Sequence, residues 1–217
     1  RICLVGSEMC IRDSNKAVSL TGAGSSTTTI DGDGDGTVLT ITGSIDASTT
    51  VSGFTLRDGD AYTAGGYGGG LHISKASPAL LDIVIDDCTA SYGGGGAIID
   101  ASPTLDGLVV TNTTAESDGG GLYIDGGAPW VVRSRFEGCY ASGASAVYAT
   151  NSAVQVENTI FFNNQSALGA ALHLPDGQTV TVLNIVAALN VTGNDKEACA
   201  VELGSGATLY NSAAYGN

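Results

Sequence analysis

Over residues 68–169 the chain repeats one arrangement of apolar and polar positions about every 25 residues. Each copy opens on small residues and then sets two apolar ones astride an outsider. The copies are Gly69-Gly70-Leu71-His72-Ile73, Gly95-Gly96-Ala97-Ile98-Ile99, Gly120-Gly121-Leu122-Tyr123-Ile124 and Ser145-Ala146-Val147-Tyr148-Ala149. The register continues through Ala171-Leu172-His173-Leu174 and Cys199-Ala200-Val201-Glu202-Leu203. A second phrase keeps step, an apolar residue followed three places on by a small polar one: Ile85 with Cys88, Val110 with Thr113, Phe136 with Cys139, Phe161 with Asn164.

Single alternation is the period of a strand, and nothing between the copies carries the 3.6-residue period of an amphipathic helix. A fixed repeat of this size marks an architecture in which each unit buries its apolar face only against its neighbours. A leucine-rich horseshoe has one strand per unit. Here each unit offers three short β-prone runs parted by Gly, Ser, Pro, Asn and Asp, in the second copy residues 97–99, 104–105 and 108–110. The pattern therefore predicts an all-β fold, a single-stranded parallel β-helix of about eight rungs. Equivalent residues should stack ~4.8 Å apart, with Leu71, Ala97, Leu122, Val147 and Leu172 in one interior line.

Columns are readable in the same way. Asn158, Asn184 and Asn211 form one, Asn164, Asn190 and Asn217 another, and both predict internal ladders of side-chain amides at turns.

The phrases Gly95-Gly96-Ala97-Ile98 and Phe161-Phe162-Asn163-Asn164 resemble the GGA-[ILV] and FxxN repeats of the chlamydial polymorphic outer membrane proteins. More broadly, residues 17–217 resemble right-handed parallel β-helix repeat proteins of the pectin-lyase-like type found on bacterial surfaces. Gly53-Phe54-Thr55-Leu56 is similar to a phrase that precedes the regular rungs in such proteins. The resemblance implies the fold and its right hand. Enzymes on this fold cleave acidic polysaccharides with a basic residue, often beside calcium.

Residues 1–14 (RICLVGSEMCIRDS) lack this grammar and carry the single methionine and two of the five cysteines. They resemble translated sequencing-adapter text of metagenomic assemblies. They are expected to be a non-native leader that packs outside the rung periodicity, and 15–217 to be one β-helix domain truncated at both ends.

The balance of 22 acidic against 8 basic residues gives a net charge of −14. Phosphate backbones and anionic membranes both require Lys and Arg, so nucleic acid and membrane surfaces are excluded as partners. No apolar run approaches the ~20 residues that span a bilayer. An extracellular or cell-surface location follows as an expectation, with a polysaccharide or a cell-surface protein as partner. Beyond the leader, Cys88, Cys139 and Cys199 remain. Cys88 and Cys139 share a column two rungs apart, out of disulfide reach, and are predicted to be buried thiols.

Three groups of residues suggest chemistry. Asp31, Asp33 and Asp35 alternate with glycines as at the start of a calcium loop, but position 12 is Thr42 rather than the closing Glu. The alternative is an acidic turn. Asp100 and Asp125 each follow the repeated apolar pair and would stack ~4.8 Å apart, a candidate acid and nucleophile or a calcium bridge. No basic residue stands in register with them, and Arg133 aligns instead with Glu157. The third group is the outward column His72, Ile98, Tyr123, Tyr148, His173 and Glu202. Its rings are candidates either for receiving sugar rings or partner side chains, or for a stabilising aromatic ladder. The function read from these features is a structural or adhesive segment of a secreted or surface-displayed protein. The alternatives are a carbohydrate-active β-helix and a pure spacer.

Overall fold

The computed structural model describes residues 12–14, 18–62, 66–144, 146–167, 171–174, 177, 180–192 and 201–215. Residues 1–11, Ser145, Cys199 and Asn217 lie outside the described residues. None of the described residues is helical, so none forms a helix long and apolar enough to cross a membrane.

The chain winds as a single-stranded parallel β-helix. Each turn contributes one strand to a first sheet, passes a corner, and adds two short strands to a second sheet and one to a third. In one rung these are Leu122–Asp125, Trp130–Val132, Arg135–Glu137 and Tyr140–Ala141. Every pairing between named strands is parallel and joins a strand to its counterpart one turn away. Among the described residues the first sheet has eight strands but the third has six, so complete turns number about six, not eight. The two first-sheet strands without a third-sheet counterpart are the first and the last, Arg12–Ser14 and Val201–Glu202, and turn length varies as well, with 32 positions between Leu39 and its partner Leu71 against 25 between Val147 and Leu172. Arg12–Ser14 pairs in parallel with Leu39, Thr40 and Ile41, so this part of the expected leader does take rung register.

Inside, like stacks on like. Leu80, Leu105, Val131, Val156 and Val182 form one buried line of the second sheet, and Ile85, Val110, Phe136, Phe161 and Ala187 another. Phe136 and Phe161 stack at 5.3 Å with planes 10° apart. In the first sheet the interior line is Leu71, Gly96, Leu122, Val147, Leu172. Gly96, not Ala97, holds the second place. Ala97 pairs with His72 and Tyr123 on the outer face, and Ile98 turns inward between Ile73 and Ile124. A slip of one residue reverses faces, and the run Gly93 to Gly96 offers no side chains by which the face could be read.

The corners need backbone that L-residues rarely adopt. Gly53, Asp82, Gly107, Arg133, Asn158, Asn184 and Asn211 occupy equivalent places and all have φ between 45° and 71°. Asp58, Asp87, Asn112, Gly138, Asn163 and Leu189 repeat this at a second corner. Gly, Asn and Asp dominate because they reach the left-handed region at least cost. Asn184 Nδ2 donates to Asn158 Oδ1 at 3.1 Å, so that ladder exists, but both residues are exposed on the outside of the corner.

One place beyond the second corner the internal ladder is found. Cys88, Thr113, Cys139, Asn164 and Asn190 form a buried column. Asn164 Oδ1 accepts from the Cys139 amide at 3.0 Å, its Nδ2 donates to Asn190 Oδ1 at 2.8 Å and to the Phe136 carbonyl at 3.1 Å. Cys88 and Cys139 are free thiols, and burial pushes each up to about 12. At pH 8 the thiolate fraction is then on the order of 10⁻⁴. In a Cys3→Ser/Cys10→Ser/Cys199→Ser background, Ellman's reagent should find both thiols silent in the native protein and both reactive in guanidinium. Rapid native labelling would contradict the buried column.

Candidate functional site

The outer face of the first sheet follows from its alternation. Leu122 and Ile124 are fully buried, so Tyr123 between them points away from the core, and Val147, Tyr148 and Ala149 repeat the arrangement. The pairing places Thr40, His72, Ala97, Tyr123, Tyr148, His173 and Glu202 in one outward column. Tyr123 and Tyr148 stack at 5.7 Å with planes 10° apart, and Tyr148 and His173 at 4.8 Å and 8°. His173 Nδ1 closes the line 2.9 Å from Glu202 Oε2.

Ala97 would leave a gap, but it is 0 % exposed despite facing outward. Two tyrosines that sequence reasoning missed come from the turn before the strand and fill that space. Tyr67 and Tyr92 are bridged in parallel, stack at 5.3 Å, and contact Tyr123 at 5.8 and 5.1 Å. Tyr67 also reaches His72 at 6.2 Å. Their spacing of 25 residues, one repeat, was the available signal.

The three rings from Tyr123 to His173 lie face to face along the rod. What they offer a partner is therefore a line of ring edges and hydroxyls, because each inner face is covered by a neighbour. Burial pushes the Tyr123 phenol up to about 12, and the Asp125 carboxylate adds to it. Tyr148 is raised and His72 lowered, both by burial.

Asp100 and Asp125 do not form the matched pair. Because Ile98 pairs with Ile124, Asp125 stands opposite Ile99, and Asp100 sits at the corner where its amide donates to the Asp125 carbonyl at 2.8 Å. Asp125 Oδ1 instead accepts from Asn151 Nδ2 at 3.0 Å. The Arg133 guanidinium reaches back to Asp106 on the preceding rung, not forward to the Glu157 carboxylate; toward Glu157, Arg133 gives its backbone amide, which donates to the Glu157 carbonyl.

Asp31 pairs directly with Arg57 on the next rung, and its Oδ2 is 2.6 Å from Arg57 Nη2. This guanidinium holds the Asp31 carboxyl below the usual range. Asp33 donates its amide to Asp31 Oδ1 at 3.0 Å, which makes the stretch a turn stabilised by its own carboxylate. With Asp58, Asp60 and Asp87 these residues line a shallow concavity of about 460 Å³. Asp58 is raised by desolvation and then by the nearby Asp31 charge. Among the described residues no three His, Cys, Asp or Glu side chains converge as a metal would require, and Asp35 stays exposed.

The sequence matches the family described as a right handed beta helix region over residues 30–214. No curated protein and no solved structure matches the chain.

Proposed function

Because the chain belongs to the right-handed β-helix family, a fold that does not by itself specify an activity, we propose that it is a stiff structural and adhesive segment of a secreted or cell-surface protein. The observation that carries this reading is where the charged side chains go. Asp31 is held by Arg57, Asp106 by Arg133, Asp125 by Asn151 and Glu202 by His173. The groups that chemistry would need are committed to neighbouring rungs, where they reinforce the repeat. A net charge of −14 on a rod with interior ladders keeps such a segment soluble and unaggregated. The outward aromatic column and its polar flanks, Ser74, Asp125 and Thr150, supply the contact surface for a cell-surface protein or polysaccharide.

The test separates rod, adhesin and enzyme. Incubation with neutral and acidic polysaccharides should release neither new reducing ends nor unsaturated uronide ends, and turnover of any of them would replace this reading with a carbohydrate-active one. Retention of the protein on glycan- or protein-coated surfaces should fall at least fivefold in Tyr67→Ala/Tyr148→Ala, which removes exposed ring edges without touching the core. Equal retention of both proteins would leave the spacer role and remove the adhesive one.

A further inference from the structure

The tyrosine cluster over Ala97 holds chemistry that a ladder does not use. Three phenol rings from three rungs touch one another: Tyr67 and Tyr92 at 5.3 Å and 21°, Tyr67 and Tyr123 at 5.8 Å and 46°, Tyr92 and Tyr123 at 5.1 Å and 58°. We propose that Tyr92 and Tyr123 form an oxidative coupling site, at which one-electron oxidation joins their rings into a dityrosine staple between successive rungs.

The geometry selects this pair. Two coupled phenols share a bond between ring edges and are twisted about it, so rings that cross with their edges together are close to the product. Tyr92 and Tyr123, at 5.1 Å, are nearer than any other two tyrosine rings of the cluster and are already turned 58° out of parallel. Tyr123 and Tyr148, at 10° and 5.7 Å, present faces and must rotate against their neighbours before their edges can meet. Tyr67 is 38 % exposed and touches both partners, so it can be oxidised first and pass the electron hole inward.

The co-reactant is hydrogen peroxide turned over by a haem peroxidase. Each phenol gives up one electron and its O–H proton, and the two phenoxyl radicals join through the carbons ortho to oxygen. The hydrogens on the joined carbons then move to the oxygens, restoring both rings. Two electrons and two protons leave the pair, and they reduce one peroxide to two waters.

Dilute protein of residues 1–217 is treated with peroxidase and peroxide, and dityrosine fluorescence is read in the monomer after separation by size. Trypsin then assigns the bond. A link between Tyr92 and Tyr123 stays inside the peptide of residues 76–133, which loses two hydrogens, whereas Tyr67 would join it to residues 58–75 and Tyr148 to residues 136–196. We expect the first product, a fivefold or larger loss of monomer fluorescence in Tyr92→Phe and in Tyr123→Phe, and no change in Tyr62→Phe/Tyr140→Phe. Phenylalanine keeps the ring and so the packing. The staple closes a loop in the unfolded chain and should raise the melting temperature by roughly 5 °C. Fluorescence only in covalent dimers, a dominant bond to Tyr67 or Tyr148, or no dityrosine while free tyrosine couples in the same reaction would each overturn the proposal.

Discussion

Replacing Gly93 by alanine is expected to lower the melting temperature by roughly 10 °C, an effect of about 4 kcal/mol in a chain of this size. Two independent costs meet at this position. The backbone has φ of 69°, where any side chain costs ~1 kcal/mol or more relative to glycine. A Cβ would also overlap the Gly96 carbonyl and come within 3.2 Å of the Ala97 amide, both of them backbone. Backbone cannot swing aside as the end of a flexible side chain does, so the strand Gly96–Ile99 must shift and its interior stack with it. Gly34→Ala isolates the first cost, since φ there is 73° and a Cβ meets nothing within 4 Å. That variant should lose only about 1 kcal/mol, roughly 3 °C. Urea or thermal unfolding of both variants beside the parent protein checks the difference. Equal losses would mean that close stacking of the glycine turns contributes nothing beyond their dihedral freedom.

The same glycines explain where the sequence could and could not be read. Strand faces were legible wherever a bulky residue alternated with a polar one, which is why Tyr123, Tyr148 and His173 fall in the column expected of them. The stretch from Gly93 to Ile99 has no polar member, so both faces read alike and the assignment slipped by one. Every consequence of that slip is local: Ile98 moves inside, Ala97 outside, and Asp100 loses its expected partner. Column logic also worked for buried polar residues, because a column holding Cys88, Thr113, Cys139 and Asn164 is small throughout. It gave less for charged ones. Asp31 and Arg57 stand 26 residues apart, one rung, yet a long side chain can reach forward, back or diagonally, and the register alone does not choose among these. Tyr67 and Tyr92 escape a reading by strand alternation because they lie in the turns, and only the fold shows that they lie over the sheet.

Asn164→Ala should cost roughly 4 kcal/mol, while Asn158→Ala, six residues earlier in the same repeat, should cost about 1. Both side chains belong to asparagine ladders, so sequence alone treats them alike. Their surroundings differ. Asn164 is 1 % exposed, and its amide serves the Cys139 N–H, the Phe136 carbonyl and Asn190 Oδ1. Alanine would leave a buried backbone donor and a buried backbone acceptor without the partners they have now, each at ~1–3 kcal/mol. A cavity beneath Phe136 and Phe161 adds to the loss. Asn158 is exposed, so water replaces the bond it accepts from Asn184, and what remains is the cost of alanine at φ of 50°. Denaturant unfolding gives the two energies, and amide exchange gives the mechanism, since the Cys139 N–H should lose protection in Asn164→Ala and keep it in Asn158→Ala. Similar losses in both variants would place the stabilising role of these ladders in the corner conformation instead of the buried hydrogen bonds.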